Sequence, residues 1–311
     1  MSKEEIENYF SKTGSYPIGG PSETPTEKEP KRVLLTAKVL PRTKQNIDRM
    51  RGEISIGKLL DDNLGVAAPL PPAWGNDELT RFLKIATENG YATYVREKVF
   101  WPRLQKIDSL FYRISQNMDN TRDWFYTFFY FRAHSVWRAA IRLAISGQNP
   151  ETHILLRASL EHAMYAFFIF NDKASWKADN SRFMIWMNRE VSGIAEKKCR
   201  DTFAAWKIKD ELKEKNKQLG EIAEKIYDQA ISHGAHPNVH GMLGNISLEE
   251  DGKTRRMETQ YMNAETDSYK FVLKRTCQAG LCILLIFKII FRERFDILGV
   301  SDEIDKLKRG L

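Results

Sequence analysis

Two groups of residues in this 311-residue chain have the types and spacing to do chemistry. Arg157 and Glu161 stand four apart in the run ILLRASLEHAMYAFFIF, so on a helix they share one face, a cation beside a carboxylate among Leu155, Leu156, Leu160 and Tyr165. A pair on so apolar a helix is expected to be at least partly buried, where removing one partner strands the charge of the other. The second group is His233, His236 and His240, at spacings of three and four. On an unbroken helix they would share a face, but Gly234, Pro237 and Gly241 interrupt it, and no Cys or carboxylate lies close in sequence to complete a tetrahedral set. No metal is expected there. The chain has no Gly-rich phosphate loop, no GxSxG and no paired Cys-x-x-Cys, and no cofactor is expected.

The elements that must position these residues are helical. Apolar residues recur at helical spacing over 78–89, 95–117, 122–146, 151–170, 181–206, 210–232 and 267–295. Breaks are expected at Gly90, at the GQNP of 147–150, at the HGAHPN of 233–238 and in the polar stretch 248–257. The fold expected from this pattern is mainly all-α, with a large bundle over 77–311. The aromatic run DWFYTFFYFRAHSVW at 123–137 has helical spacing and is expected in the core. Residues 1–30, rich in Gly, Pro, Ser, Glu and Lys, read as a disordered tail, and the Pro-rich 66–76 as a linker.

Between tail and linker the pattern changes. Over 33–39, Val33, Leu35, Ala37 and Val39 alternate with Leu34, Thr36 and Lys38, the period of a strand. Pro41 then suits a first helical turn, Ile47 and Met50 follow at helical spacing, and Gly52 stops that helix. Ser55 is a plausible N-cap for a second helix with Ile56, Leu59, Leu60 and Leu64 on one side and Gly65 past its end. Residues 31–64 carry eight Lys/Arg and four Asp/Glu, a net +4, whereas 1–30 carry three Lys and six Glu, a net −3. So small a unit cannot bury a core alone and implies a partner.

This strand followed by LPRTKQNIDRMRGEIS and a Ser-started helix resembles a ribbon-helix-helix DNA-binding domain, here 31–65. The resemblance implies a homodimer joined through the N-terminal strand, whose ribbon enters the major groove of an operator-like duplex. It places Leu34, Thr36 and Lys38 toward the bases and the helix start at Ser55, Ile56 and Gly57 on a phosphate. Each role is chemically sound: Thr36 and Lys38 can hydrogen-bond base edges, Leu34 can touch a thymine methyl, and helix-start amides favour an anion. Family members often place Arg and Ser after the capping Ser; here Ile56 and Gly57 leave the grip to backbone amides.

In the helical part, LLRASLEH after a GQNPE turn, together with Y-x4-S-x3-HP some seventy residues later, resembles an uncharacterised bacterial all-helical family similar to HEPN domains. Catalytic HEPN domains are ribonucleases that use an Arg four to six residues ahead of a His. No Arg occurs among Tyr227–His233 ahead of His236, so that motif is absent as written. Arg157 would have to reach His236 through the fold; the role expected of His236 is structural, capping or bonding to Glu161.

A net charge of +7 and a pI near 9.1 agree with a nucleic-acid partner, although 48 basic and 41 acidic residues make a mixed surface. Cys199, Cys277 and Cys282 form neither a disulfide framework nor a metal motif, which fits a reducing, cytoplasmic setting. The apolar stretch 279–287 is ended by Lys288, short of the ~20 residues of a membrane span, so no membrane partner is expected. The function expected is that of a DNA-binding transcriptional regulator or autoregulator with a helical sensor or effector domain. The alternative is a HEPN-like ribonuclease, a toxin or phage-defence effector acting on RNA, with Arg157, Glu161 and His236 as its candidate residues.

Overall fold

The computed structural model describes residues 73–118, 124–235, 246–251, 254–264 and 267–309. The chain divides between Trp74 and Gly75, and the architecture below belongs to the second unit, Gly75–Leu311. The ribbon-helix-helix segment lies outside the described residues.

The unit is mainly all-α. Its helices are α1 (Glu78–Arg96), α2 (Phe100–Ser115), α3 (Trp124–Ser146), α4 (Asn149–Phe170), α5 (Arg182–Met187), α6 (Gly193–Thr202), α7 (Ala205–Lys215), α8 (Lys217–Ala230), α9 (Asp267–Ile290), α10 (Arg292–Ile297) and α11 (Val300–Lys308). A π turn, Ile231–Ala235, continues α8, and an antiparallel hairpin joins β1 (Ile246–Asp251) to β2 (Thr254–Thr259). Helix starts follow the local chemistry. The Asp77 carboxylate accepts from the Thr80 amide at 2.9 Å to open α1, and Ser181, Ser192 and Asn216 cap α5, α6 and α8 in the same way.

The long helices α3, α4 and α9 pack on one another; α1 and α2 cover one side, and α7 and α8 the other. The aromatic run supplies much of the core: Phe125, Tyr126, Tyr130 and Trp137 are buried, as are Phe167 and, against the Tyr130 ring, Phe111 and Phe287. Full burial of each such side chain contributes roughly 1.5–3 kcal/mol. The polar atoms of these rings are satisfied across helices, Trp137 donating to the Thr276 carbonyl at 2.9 Å and Tyr130 to that of Phe111 at 2.9 Å. Gly280 lets α9 approach α3: a Cβ there would lie 2.7 Å from the Trp137 ring. Asp108 of α2 takes Arg138 of α3 in a two-pronged pair, at 2.7 and 2.8 Å, and also meets His134 at 2.7 Å.

Gly147, in left-handed backbone at φ +87°, reverses the chain between α3 and α4. Its carbonyl accepts from the Asn263 amide at 2.8 Å, and the Asn149 side chain donates to the Asn263 carbonyl at 3.2 Å, so the segment after β2 straps the α3–α4 turn.

Five expectations about elements need correction. The helix expected over 95–117 begins at Phe100, because α1 runs on to Arg96, and the one expected over 267–295 is interrupted at Phe291, between α9 and α10. Gly90 does not end α1; it lies inside the helix, where its missing side chain admits Ile145 of α3 at 3.4 Å from a Cβ position. The stretch 181–206 is not one helix but α5 and α6, separated after Asn188. Asn216 divides 210–232, ending α7 and capping α8.

Candidate functional site

Helix α4 carries His153, Arg157 and Glu161 at successive four-residue steps, one stripe along one face. That stripe faces α8 and the π turn after it, which pack on α4. Gly234 permits the close crossing at the start of α4, since any Cβ there would run into the Pro150 backbone.

At the centre of the seam, Arg157 Nε donates to Glu161 Oε1 at 2.9 Å. The hydroxyl of Tyr227, sixty-six residues on, donates to the same oxygen at 3.0 Å. The Arg157 guanidinium also lies over the Tyr227 ring, 5.1 Å from its centre, and Lys209 Nζ lies 5.2 Å from that centre while pairing with Asp228 at 3.0 Å. The pair is partly buried as expected, with side-chain exposures of 24% and 34%. Burial, and then the Glu161 carboxylate, push the Tyr227 phenol up to about 12, so it is a donor throughout the physiological range.

One turn before Arg157, His153 is buried at 3% exposure, its ring 5.2 Å from that of His233. His233 bonds through Nδ1 to the Gln229 carbonyl at 2.8 Å and packs on Phe271. Burial, then the neighbouring His233 and Arg275, pull His153 down to about 4, so it is neutral at pH 7.

Beyond Glu161 the seam opens into a cavity of about 430 Å³ lined also by Arg189, Glu196, Cys199 and Arg200. Burial pushes the Cys199 thiol up, which disfavours the thiolate a nucleophile needs. Arg157 and Tyr227 thus supply hydrogen-bond donors and guanidinium charge, while the Cys199 thiolate and the His153 imidazolium are both disfavoured by burial.

The structure therefore joins Arg157 to Glu161 and adds Tyr227, bringing together the two motif segments. His236, with Leu34, Thr36, Lys38, Ser55, Ile56 and Gly57, lies outside the described residues. Among the described residues no group of three or more His, Cys, Asp or Glu is placed to hold a metal, and no helix is long and apolar enough to cross a membrane. Tyr227 and His153 were the partners that sequence reasoning missed. The four-residue step from His153 to Arg157 was a readable signal for the second, but the pairing with Tyr227 depends on the packing of α8. In comparisons with protein families, curated proteins and solved structures, the chain matches none.

Proposed function

We propose that this chain is a DNA-binding regulator in which a dimeric module over 31–65 binds an operator-like duplex and the helical unit acts as sensor. The observation that carries the reading is the sequence of 31–64, a period-2 strand and two short capped helices with a net charge of +4 beside an acidic tail. The seam supports a sensing rather than a catalytic helical unit. Its carboxylate is engaged by Arg157 and Tyr227 through one oxygen, its buried thiol is disfavoured as a nucleophile, and its buried imidazole is a weak base. The test is selection of a duplex from a random pool with the full chain, followed by gel shift of Lys38→Ala and Thr36→Ala. Each is expected to weaken specific binding by ~1–3 kcal/mol while leaving the protein folded. Unchanged affinity in both variants removes the ribbon reading.

A second reading, RNA cleavage, is favoured by one observation: the two HEPN-like motif segments meet at Arg157, Glu161 and Tyr227. It requires cleavage of an unstructured RNA by the full chain that is lost in both Arg157→Gln and His236→Ala. Cleavage that survives either change, or that never exceeds the background of a preparation carrying both, removes it.

A further inference from the structure

The groove between α8, α9 and α11 adjoins the seam, with Arg275 near His153 and stacked on the Phe271 ring that packs on His233, but it has a different chemistry. It encloses about 810 Å³, within the range of small-ligand sites. Among the described residues six cations line it, Lys215, Lys225, Arg275, Lys288, Arg292 and Lys308, and no Asp or Glu does. Three of the six are served by carboxylates just outside: Lys308 pairs with Asp305 at 2.9 Å, and Lys288 and Arg292 each lie 3.9 Å from Asp296. Lys215, Lys225 and Arg275 have no carboxylate partner among the described residues.

Arg275 is the unusual member. It is half-buried against Phe271, with its guanidinium 4.8 Å from the ring centre. One terminal nitrogen donates to Gln278 Oε1 at 2.5 Å, while its Nε is buried with no hydrogen-bond partner. Burial pulls its pKa below the usual arginine value, the direction a desolvated and uncompensated cation takes. A guanidinium in that state would be stabilised by an anion arriving from the groove.

The rest of the groove is apolar along one direction. From Arg275, the α9 positions Leu281, Leu285 and Ile289 run on as a single stripe, facing Ile222 and Ile226 of α8. Ile222 is 41% exposed, an apolar side chain left at the mouth. The eight helical steps from Leu281 to Ile289 span about 12 Å, the length of a medium acyl chain. We propose that this groove binds an amphiphilic anion, with its carboxylate or phosphate on Arg275 and its apolar body along Leu281, Leu285 and Ile289. The binding stands on the groove alone; that it would be the input to DNA binding rests on the reading above.

The test is calorimetric titration of the full chain with decanoate below its micellar concentration, beside acetate and decyltrimethylammonium. The first supplies head and tail, the second head alone, and the third the same tail with the opposite charge. Decanoate is expected to bind at one site per chain, with acetate and decyltrimethylammonium at least tenfold weaker. Arg275→Gln is expected to weaken decanoate at least tenfold with no loss of melting temperature, because it removes an unpaired desolvated charge. Ile222→Glu, at an exposed position, is expected to weaken it through the tail without touching Arg275. Decanoate failing to bind, equal affinity for decyltrimethylammonium, or an unaltered affinity in Arg275→Gln overturns the proposal. Sedimentation with phosphatidylglycerol vesicles, dependent on Arg275, would place the anion on a bilayer lipid; decanoate binding without vesicle binding would place it in solution. Because none of these measurements contains DNA, a failed gel shift leaves this result standing and the reverse holds too.

Discussion

Tyr227 of α8 and Arg157 of α4 converge on one oxygen of Glu161, at 3.0 and 2.9 Å, so a single carboxylate oxygen ties together two helices whose motif residues lie sixty-six positions apart. The arrangement has an energetic signature that separates an interlocked group from three independent surface residues.

Arg157→Leu and Glu161→Leu are each expected to destabilise the helical unit by roughly 1–3 kcal/mol, below the cost for a fully buried pair because both side chains retain some solvent. The double change is expected to cost less than either single one, since it leaves no stranded charge. Tyr227→Phe should cost about 0.5–1.5 kcal/mol. Urea unfolding of the four variants measures this, and strictly additive small losses would identify the segment as an ordinary surface helix.

His153 sets an acid sensitivity. Its folded pKa near 4 lies below the ~6.5 of the unfolded chain, so the unfolded state takes the proton first as pH falls. The stabilisation from neutral His153 is complete above about pH 6.5 and is lost on the way down to pH 4, amounting to about 3 kcal/mol at most. His153→Leu is expected to remove this part of the pH dependence, so the gap in unfolding midpoint between pH 7 and pH 4.5 narrows relative to the native chain.

At the α3–α9 crossing, Gly280→Ala should be among the most damaging small changes, because the added methyl meets the Trp137 ring at 2.7 Å and Ile107 at 2.9 Å. Overpacking of this kind costs about 1–3 kcal/mol. The Trp137 environment should change with it, observable as a shift in near-ultraviolet circular dichroism.

Under the proposed ribbon reading, the alternation of 33–39 would put Ala37 on the face shared by the two copies, so Ala37→Glu should dissociate a dimer held there by placing an unpaired carboxylate in its core. Sedimentation equilibrium of the full chain reads the outcome. A native chain that is already monomeric, or a variant that remains dimeric, counts against strand-mediated association.

Much of the helical unit could be read from residue spacing, and the exceptions share a cause. The Arg157–Glu161 pair followed from a four-residue step, and most of the aromatic run is core as its helical spacing implied, although Phe128 and Phe131 lie on the exposed side. Gly90 misled because local propensity marks glycine as a stop, whereas here the deciding term is the approach of Ile145 from another helix. Asn216 is polar enough to continue a surface helix, and only its geometry as a cap shows that two helices meet there. The hairpin at Ile246–Thr259 has little apolar alternation; the Gly at position 252, just past the last paired residue Asp251, was its clearest sequence signal. Tyr227 and the unpaired Arg275 depend on the packing of helices far apart in the chain, which no local period encodes.

The strap across the α3–α4 turn bears on the order of assembly. The two helices it closes are neighbours in sequence and can pair early at little loop-closure cost, whereas Asn263 must return across more than a hundred residues to reach Gly147 and Asn149. The strap is therefore expected to close as a latch after the bundle has condensed. Asn149→Ala, which removes one of its bonds, should quicken unfolding in stopped-flow experiments while leaving the refolding rate almost unchanged, so the latch governs how long the folded unit survives rather than how quickly it forms.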